Sequence, residues 1–224
     1  MTCKETIKAL RSLVKKKDDR LFPPLKINDE TLGVTLKDIK SLSSKIGKNH
    51  ALSLELWDAK ILEGKILATL IEEPRKVSLE QLSKQVREIK DKTVADYFVK
   101  HVVAKTDFLL SRANSWVNMS KPQHVRYTGY LCVSELAHRS IILDNNYFSK
   151  HLLIIELQIA NARGLIKNGQ LDTLLAIGSR NKVLNKKAVK AAKKIGEMKL
   201  ITGNKQKVVN PFLVLTSDKV QSKL

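Results

Sequence analysis

The feature that most constrains this chain is the return of apolar residues at helical spacing, segment after segment, with little in between. Gly and Pro number only nine and five in 224 residues, and they fall mostly between the periodic segments, as punctuation does in a helical protein. Pro23-Pro24 ends the N-terminal region, Pro74 stops a helix after Glu73, Pro122 separates two more, and Pro211 sits near the C-terminal tail. Leu79, Leu82, Val86 and Ile89 stand at i, i+3, i+7 and i+10, one stripe of a helix. Ser78 followed by Gln81 has the capping-box form, in which the serine oxygen takes an orphan amide and the glutamine side chain reaches back. Thr35 ahead of Asp38 marks another start, and Asn49 and Asp58 read as N-caps of the next two segments.

The spacing predicts helices over 3–17, 35–46, 50–57, 59–72, 79–90, 93–105, 107–119, 123–139, 145–165, 169–177, 182–196 and part of 211–223. No long segment alternates with period two, so strands are not expected. The expectation is an all-α chain forming one domain over 1–224, with an N-terminal helix and linker over 1–31, a body over 32–200 and a tail over 201–224. Helices of this length joined by short turns suit a compact bundle or a solenoid of antiparallel pairs.

Charge narrows the partners. Lys and Arg total 41 against 22 Asp and Glu, a net charge of +19. An excess of this size repels itself in a compact chain and calls for a polyanion. Nucleic acid is the first candidate and an anionic membrane surface the second. No apolar run reaches the roughly 18 residues that suggest a membrane span, and Met1-Thr2-Cys3-Lys4-Glu5 lacks the apolar core of a signal peptide. Cys3 and Cys132, far apart, read as reduced thiols of an intracellular protein. His50, His101, His124, His138 and His151 have no ligand spacing, so no metal is expected. There is no glycine-rich phosphate loop, nucleophile elbow or HExxH, and no cofactor is expected.

The sharpest charge pattern lies over 182–196. At about 100° per residue, Lys182, Lys186, Lys187, Lys190, Lys193 and Lys194 fall within less than half of the helix circumference, opposite Leu184, Ala188, Ala191, Ala192 and Ile195. Such a stripe can neutralise several phosphates, which gives affinity without sequence reading. It is also what a solvated face kept soluble by lysine looks like; the whole-chain charge favours nucleic acid. A second cluster, Lys15-Lys16-Lys17, is offset at once by Asp18-Asp19. With aromatics at 5% and not interleaved with arginines, a stacking platform for single strands is disfavoured, and a duplex backbone binder fits better.

Several short motifs, in order, carry a family resemblance over roughly Leu32 to Gly196. They are Gly33-Val34, Lys37-Asp38-Ile39-Lys40, Leu54-Glu55-Leu56-Trp57, Glu63-Gly64-Lys65-Ile66-Leu67-Ala68, Val125-Arg126-Tyr127-Thr128-Gly129-Tyr130, and Ile177-Gly178 followed by Leu184-Asn185-Lys186-Lys187-Ala188. Together they resemble the DNA alkylation repair proteins, the all-helical HEAT-like DNA glycosylase family. The resemblance implies a HEAT-like repeat superhelix, an α-solenoid of antiparallel helix pairs, acting as a monomer on duplex DNA that carries alkylated bases. Active members excise cationic N3- or N7-alkylated purines from a concave basic surface. An aspartate stabilises the positive charge developing on the deoxyribose, while two tryptophans and an arginine hold the backbone. A fixed carboxylate beside an oxocarbenium-like sugar can supply much of the catalysis, because the cationic purine is already a good leaving group.

By this resemblance Asp96 takes the place of the catalytic aspartate, Lys92 stands where the first tryptophan is expected, and the arginine falls on Arg126 or Tyr127 depending on one residue of register. The second tryptophan has no counterpart before Ile177-Gly178, where the chain reads Gln170-Leu171-Asp172-Thr173-Leu174-Leu175. From the helical wheel alone Asp96 sits at the edge of the polar side, where an exposed pair with Lys100 needs no function. Trp57 and Trp116, among leucines and valines, read as core, and His101, His124 and Cys132 as packing or surface residues. The alternative to a glycosylase is a DNA-binding, or protein- or RNA-binding, HEAT-like solenoid that has lost base excision, which also accounts for the missing tryptophans.

Overall fold

The computed structural model describes residues 1–14, 29–202 and 205–224. The cluster Lys15-Lys16-Lys17 with Asp18-Asp19, the pair Pro23-Pro24 and the end of the first predicted helix lie outside the described residues. The chain forms two compact units, Met1–Phe108 and Leu109–Leu224.

The first unit holds α1 (Cys3–Ser12), α2 (Leu36–Ile46), α3 (His50–Asp58), α4 (Leu62–Ile71), α5 (Leu79–Glu88) and α6 (Lys92–His101), with short 3-10 turns at Pro74–Lys76 and Val103–Lys105. Local chemistry starts most of these helices. Thr35, Asn49 and Asp91 accept hydrogen bonds from the amides of Asp38, Leu52 and Val94. Helix α4 is apolar almost all round and is the centre of the unit, packed by α2, α3 and α6. Two charges are buried in it. Lys65 donates to Asp29 at 2.6 Å. Glu63, fully buried, accepts from the amides of Leu32 (3.0 Å), Gly33 (2.6 Å) and Val34 (3.3 Å). Gly33, at φ +85°, turns these three consecutive amides toward one carboxylate. The Gly-Val turn and the Glu-Gly-Lys motif are thus the two halves of a single buried contact.

The second unit holds α7 (Leu109–Trp116), α8 (Gln123–Arg139), α9 (Asn145–Gln158), α10 (Gly164–Gly178), α11 (Lys182–Ile195), β1 (Met198–Thr202), β2 (Lys205–Val209), α12 (Pro211–Leu215) and α13 (Asp218–Gln221). Helix α8 packs on α7 and α10, and α9 on α11. The backbone at the end of α7 comes so close to Gly129 that an added Cβ there would lie 2.2 Å from the nitrogen of Val117, the residue after the helix.

Four expectations are corrected. Strands β1 and β2 form an antiparallel hairpin, Met198 opposite Val209 and Thr202 opposite Lys205; five-residue strands interrupted by Leu200-Ile201 and Val208-Val209 leave too little alternation to read. The helix predicted over 145–165 ends at Gln158, and the next begins at Gly164, not 169. Asp58 is the last residue of α3 and caps nothing, whereas α4 starts after Ile61 with its Leu62 amide donated to the Glu30 carbonyl at 2.9 Å. Ser78 caps α5, but the Gln81 side chain donates to buried Glu72 at 2.8 Å, so half of the capping box is diverted.

Candidate nucleic-acid interface

Helix α11 carries the lysine stripe where the spacing places it. Asn181 caps it, accepting from the Leu184 amide at 2.9 Å. Leu184, Ala188, Ala191 and Ala192 are buried, Ile195 is half-buried, and Lys182, Lys186, Lys187, Lys190, Lys193 and Lys194 are all exposed. Small residues on the inner side bring α11 close to α10, where Ala188 lies against Gly178, and its other flank meets α9. The two helices run parallel, since Asn181 donates to Asn145 (3.0 Å), Lys187 to Ser149 (2.9 Å) and Lys194 to Glu156, advancing together along both. Lys193 lies over the Phe212 ring at 5.2 Å. Three lysines of the stripe are therefore engaged. Lys182, Lys186 and Lys190 make no ion pair among the described residues, and at i, i+4 and i+8 they form a line with steps of about 6 Å.

In the first unit, α6 brings Asp96 and Lys92 together. The carboxylate is 38% exposed and pairs with Lys92 Nζ at 2.7 Å. The pair suggested by the wheel was with Lys100; the one formed at this distance lies one turn toward the N-terminus. Lys92 thus contacts the very carboxylate that the resemblance marks as catalytic.

Beside it lies a basic cluster that sequence reading missed. Tyr97 and His101 stack with ring centroids 5.2 Å apart, and Lys40 of α2 sits over Tyr97 at 5.7 Å. Burial, then the positive fields of Lys105, Lys100, Lys48 and Lys40, push the His101 pKa down to about 4. The imidazole is therefore neutral at pH 7, and four lysines from α2, the turn after it, α6 and the turn at Val103–Lys105 raise the local positive potential. No linear motif joins residues 40, 48, 100 and 105, so only the fold reveals them.

The two candidates on α8 differ in burial. Tyr127 is fully buried, its ring against Gly169 of α10, which leaves its side chain no surface for a DNA contact in this structure. Arg126 is half-buried and donates to Gln158 at 2.6 Å, with its Nε unpartnered among the described residues. Trp57 and Trp116 are core, at 2% and 4% exposure. Trp57 also donates to Glu88 at 2.7 Å. Cys132 is buried and its thiol is pushed well above the ordinary range; it packs. Among the described residues no cluster of His, Cys, Asp or Glu is placed to hold a metal, and no helix is long and apolar enough to cross a membrane.

Comparison with known proteins bears on the family and the fold. A family model described as DNA alkylation repair enzyme matches residues 5–203. No curated protein matches the chain. A solved structure described as "a new family of proteins related to the HEAT-like repeat DNA glycosylases with affinity for branched DNA structures" superposes with a TM-score of 0.88 at 19% identity, covering 100% of this chain and 96% of the other. The fold is therefore an all-α HEAT-like repeat fold.

Proposed function

We propose, starting from the fact that the chain belongs to the DNA alkylation repair enzyme family, that it binds DNA by the phosphate backbone and favours branched DNA, the structures for which its solved fold relative has affinity. The observation that carries the reading is the line of Lys182, Lys186 and Lys190 on α11, exposed and without ion pairs among the described residues, in a chain of net charge +19. Lysines so placed neutralise phosphates and release condensed counterions, which makes affinity steeply salt-dependent and indifferent to sequence. The protein acts as a monomer inside the cell in this reading. A salt titration of binding to a continuous duplex and to a four-way junction tests it. Affinity falling by decades with rising salt, and tighter for the junction, supports the reading; binding that ignores salt refutes it.

A second reading is base excision, favoured by the half-exposed Asp96 carboxylate on α6. Asp96 would stabilise the oxocarbenium-like sugar as a cationic purine departs, and Lys92 would have to yield its ion pair to the developing charge. Release of free base from duplex carrying 7-methylguanine or 3-methyladenine by the wild type, and not by Asp96→Asn, supports excision. No release with salt-sensitive binding intact leaves DNA binding alone.

A further inference from the structure

The loop between α8 and α9 exposes two large apolar side chains, Ile141 at 95% and Ile142 at 86%. Among the described residues neither is buried in the packing of the unit. The loop is nevertheless held in one shape. Arg180, stacked on the Phe148 ring at 4.6 Å, donates to the carbonyls of Ala137 (2.8 Å), Ser140 and Leu143 (3.3 Å). Ser140 Oγ accepts from the Leu143 amide at 3.2 Å, and Asp144 caps α9 by accepting from the Tyr147 amide at 2.9 Å. A guanidinium shared among one carbonyl in the last turn of α8 and two in the loop fixes a tip whose two most exposed residues are isoleucines.

The tip also stands at the start of the lysine line. Asn181, bonded to Asn145 on the far side of the loop, immediately precedes Lys182, and Lys186 and Lys190 follow along α11. Ile141 lines the same surface depression as Ser179, Arg180 and Asn181, so a DNA strand whose phosphates track that line passes beside the tip. We propose that Ile141 and Ile142 form an apolar wedge that occupies the break in base stacking at an interruption in duplex DNA. This rests on the DNA-binding reading above and deepens it by assigning selectivity to two residues.

The physical reason for selectivity is the cost of opening a stack. Apolar side chains can be driven between base steps, but unstacking an intact duplex is unfavourable. At a nick or branch the stack is already open, and the exposed face of the last base pair is a flat apolar surface that aliphatic side chains cover. The wedge therefore adds affinity at an interruption and adds little on a continuous duplex. The charge of the neighbouring line favours a phosphate strand over an uncharged apolar partner.

The test uses the full chain and the double variant Ile141→Ser/Ile142→Ser. Both positions are exposed, so folding is expected to be intact, and circular dichroism checks it. Affinity is measured by fluorescence anisotropy for a four-way junction and for a continuous duplex of equal length at one salt concentration, with 2-aminopurine at the branch point reporting unstacking. The wild type should prefer the junction and brighten the probe. The double variant should lose about tenfold or more of that preference, about 1.4 kcal/mol, together with the brightening, while duplex affinity stays within about twofold. Ile141→Val should retain both. A double variant that keeps preference and brightening overturns the wedge while the DNA reading stands. A wild type without salt-dependent DNA binding removes the DNA reading, and the wedge with it. Binding to vesicles of anionic phospholipid that depends on the isoleucines, with the junction preference unaffected, would assign the tip to a membrane instead and overturn the proposal.

Discussion

Replacing Glu63 should damage the first unit more than any single exposed charge could. Its carboxylate is fully buried and takes the amides of Leu32, Gly33 and Val34 at 2.6–3.3 Å. Val34 is fully buried as well, and Leu32 nearly so. In Glu63→Ala all three donors lose their acceptor in a place that water reaches poorly. Each orphaned buried donor costs about 1–3 kcal/mol. Since the loop can relax and admit solvent, the three together should cost about 3–5 kcal/mol rather than their sum. For a chain of this size about 2–4 °C is lost per kcal/mol, so the melting temperature should fall by about 6–20 °C. Glu63→Gln keeps the length and one acceptor oxygen but turns an amide donor toward other donors, so its loss should fall between Ala and wild type. Urea unfolding followed by far-UV circular dichroism measures this. If Glu63→Ala lies within about 1 kcal/mol of wild type, the carboxylate does not organise the loop and the reasoning fails.

Other perturbations separate charge, burial and packing. Replacing Lys182, Lys186 and Lys190 together by Gln should lower the log–log salt slope of DNA binding by about 2.7, at about 0.9 per phosphate contact; an unchanged slope would exclude the α11 line from the interface. Burial pushes the His151 pKa down to about 4 from an ordinary 6.5. The unfolded chain then binds this proton first as pH falls, so stability is full above about pH 6.5 and declines by about 2–3 kcal/mol on acidification to pH 4. His151→Gln should flatten that part of the urea stability profile, and an identical pH dependence would refute the burial effect. Gly129→Ala should destabilise the second unit by about 3 kcal/mol or more, because its Cβ would meet the backbone of Trp116 and Val117 at 2.2–2.7 Å, with no flexible side-chain end to move aside; a thermal melt within about 2 °C of wild type would refute that contact.

What could be read from the sequence follows from where each signal resides. The stripe on α11 was legible because one helix carries both its buried alanines and its exposed lysines, so a single period describes both. The caps at Thr35, Asn49 and Ser78 were legible because an N-cap satisfies amides only two or three residues away. The basic cluster around His101 was not, because residues 40, 48, 100 and 105 meet only after α2 and α6 have packed on α4. The different burial of Arg126 and Tyr127 likewise depends on which side of α8 meets α10, where the tyrosine ring lies against Gly169.

The failures of local rules share a cause, which is the demand of buried polar groups for partners. Glu72 is nearly fully buried and gathers His50 at 2.6 Å, Ser53 at 3.1 Å, its neighbour's amide at 2.8 Å and the Gln81 amide at 2.8 Å. Leaving a buried carboxylate short of donors costs more than leaving one exposed helix-start amide to water. Gln81 therefore abandons its own cap although its sequence position is right for one. The same ordering explains α4, whose first amide is satisfied by the Glu30 carbonyl from outside the helix while Asp58, a good capping residue, stays at the exposed end of α3. It follows that Gln81→Ala should cost stability through Glu72 rather than through the cap. Its loss should shrink markedly in a Glu72→Gln background, whereas the loss from Ser78→Ala should be the same in both. A double-mutant cycle by urea unfolding that finds no coupling between Gln81 and Glu72 would show that the local cap, and not the buried carboxylate, governs this helix start.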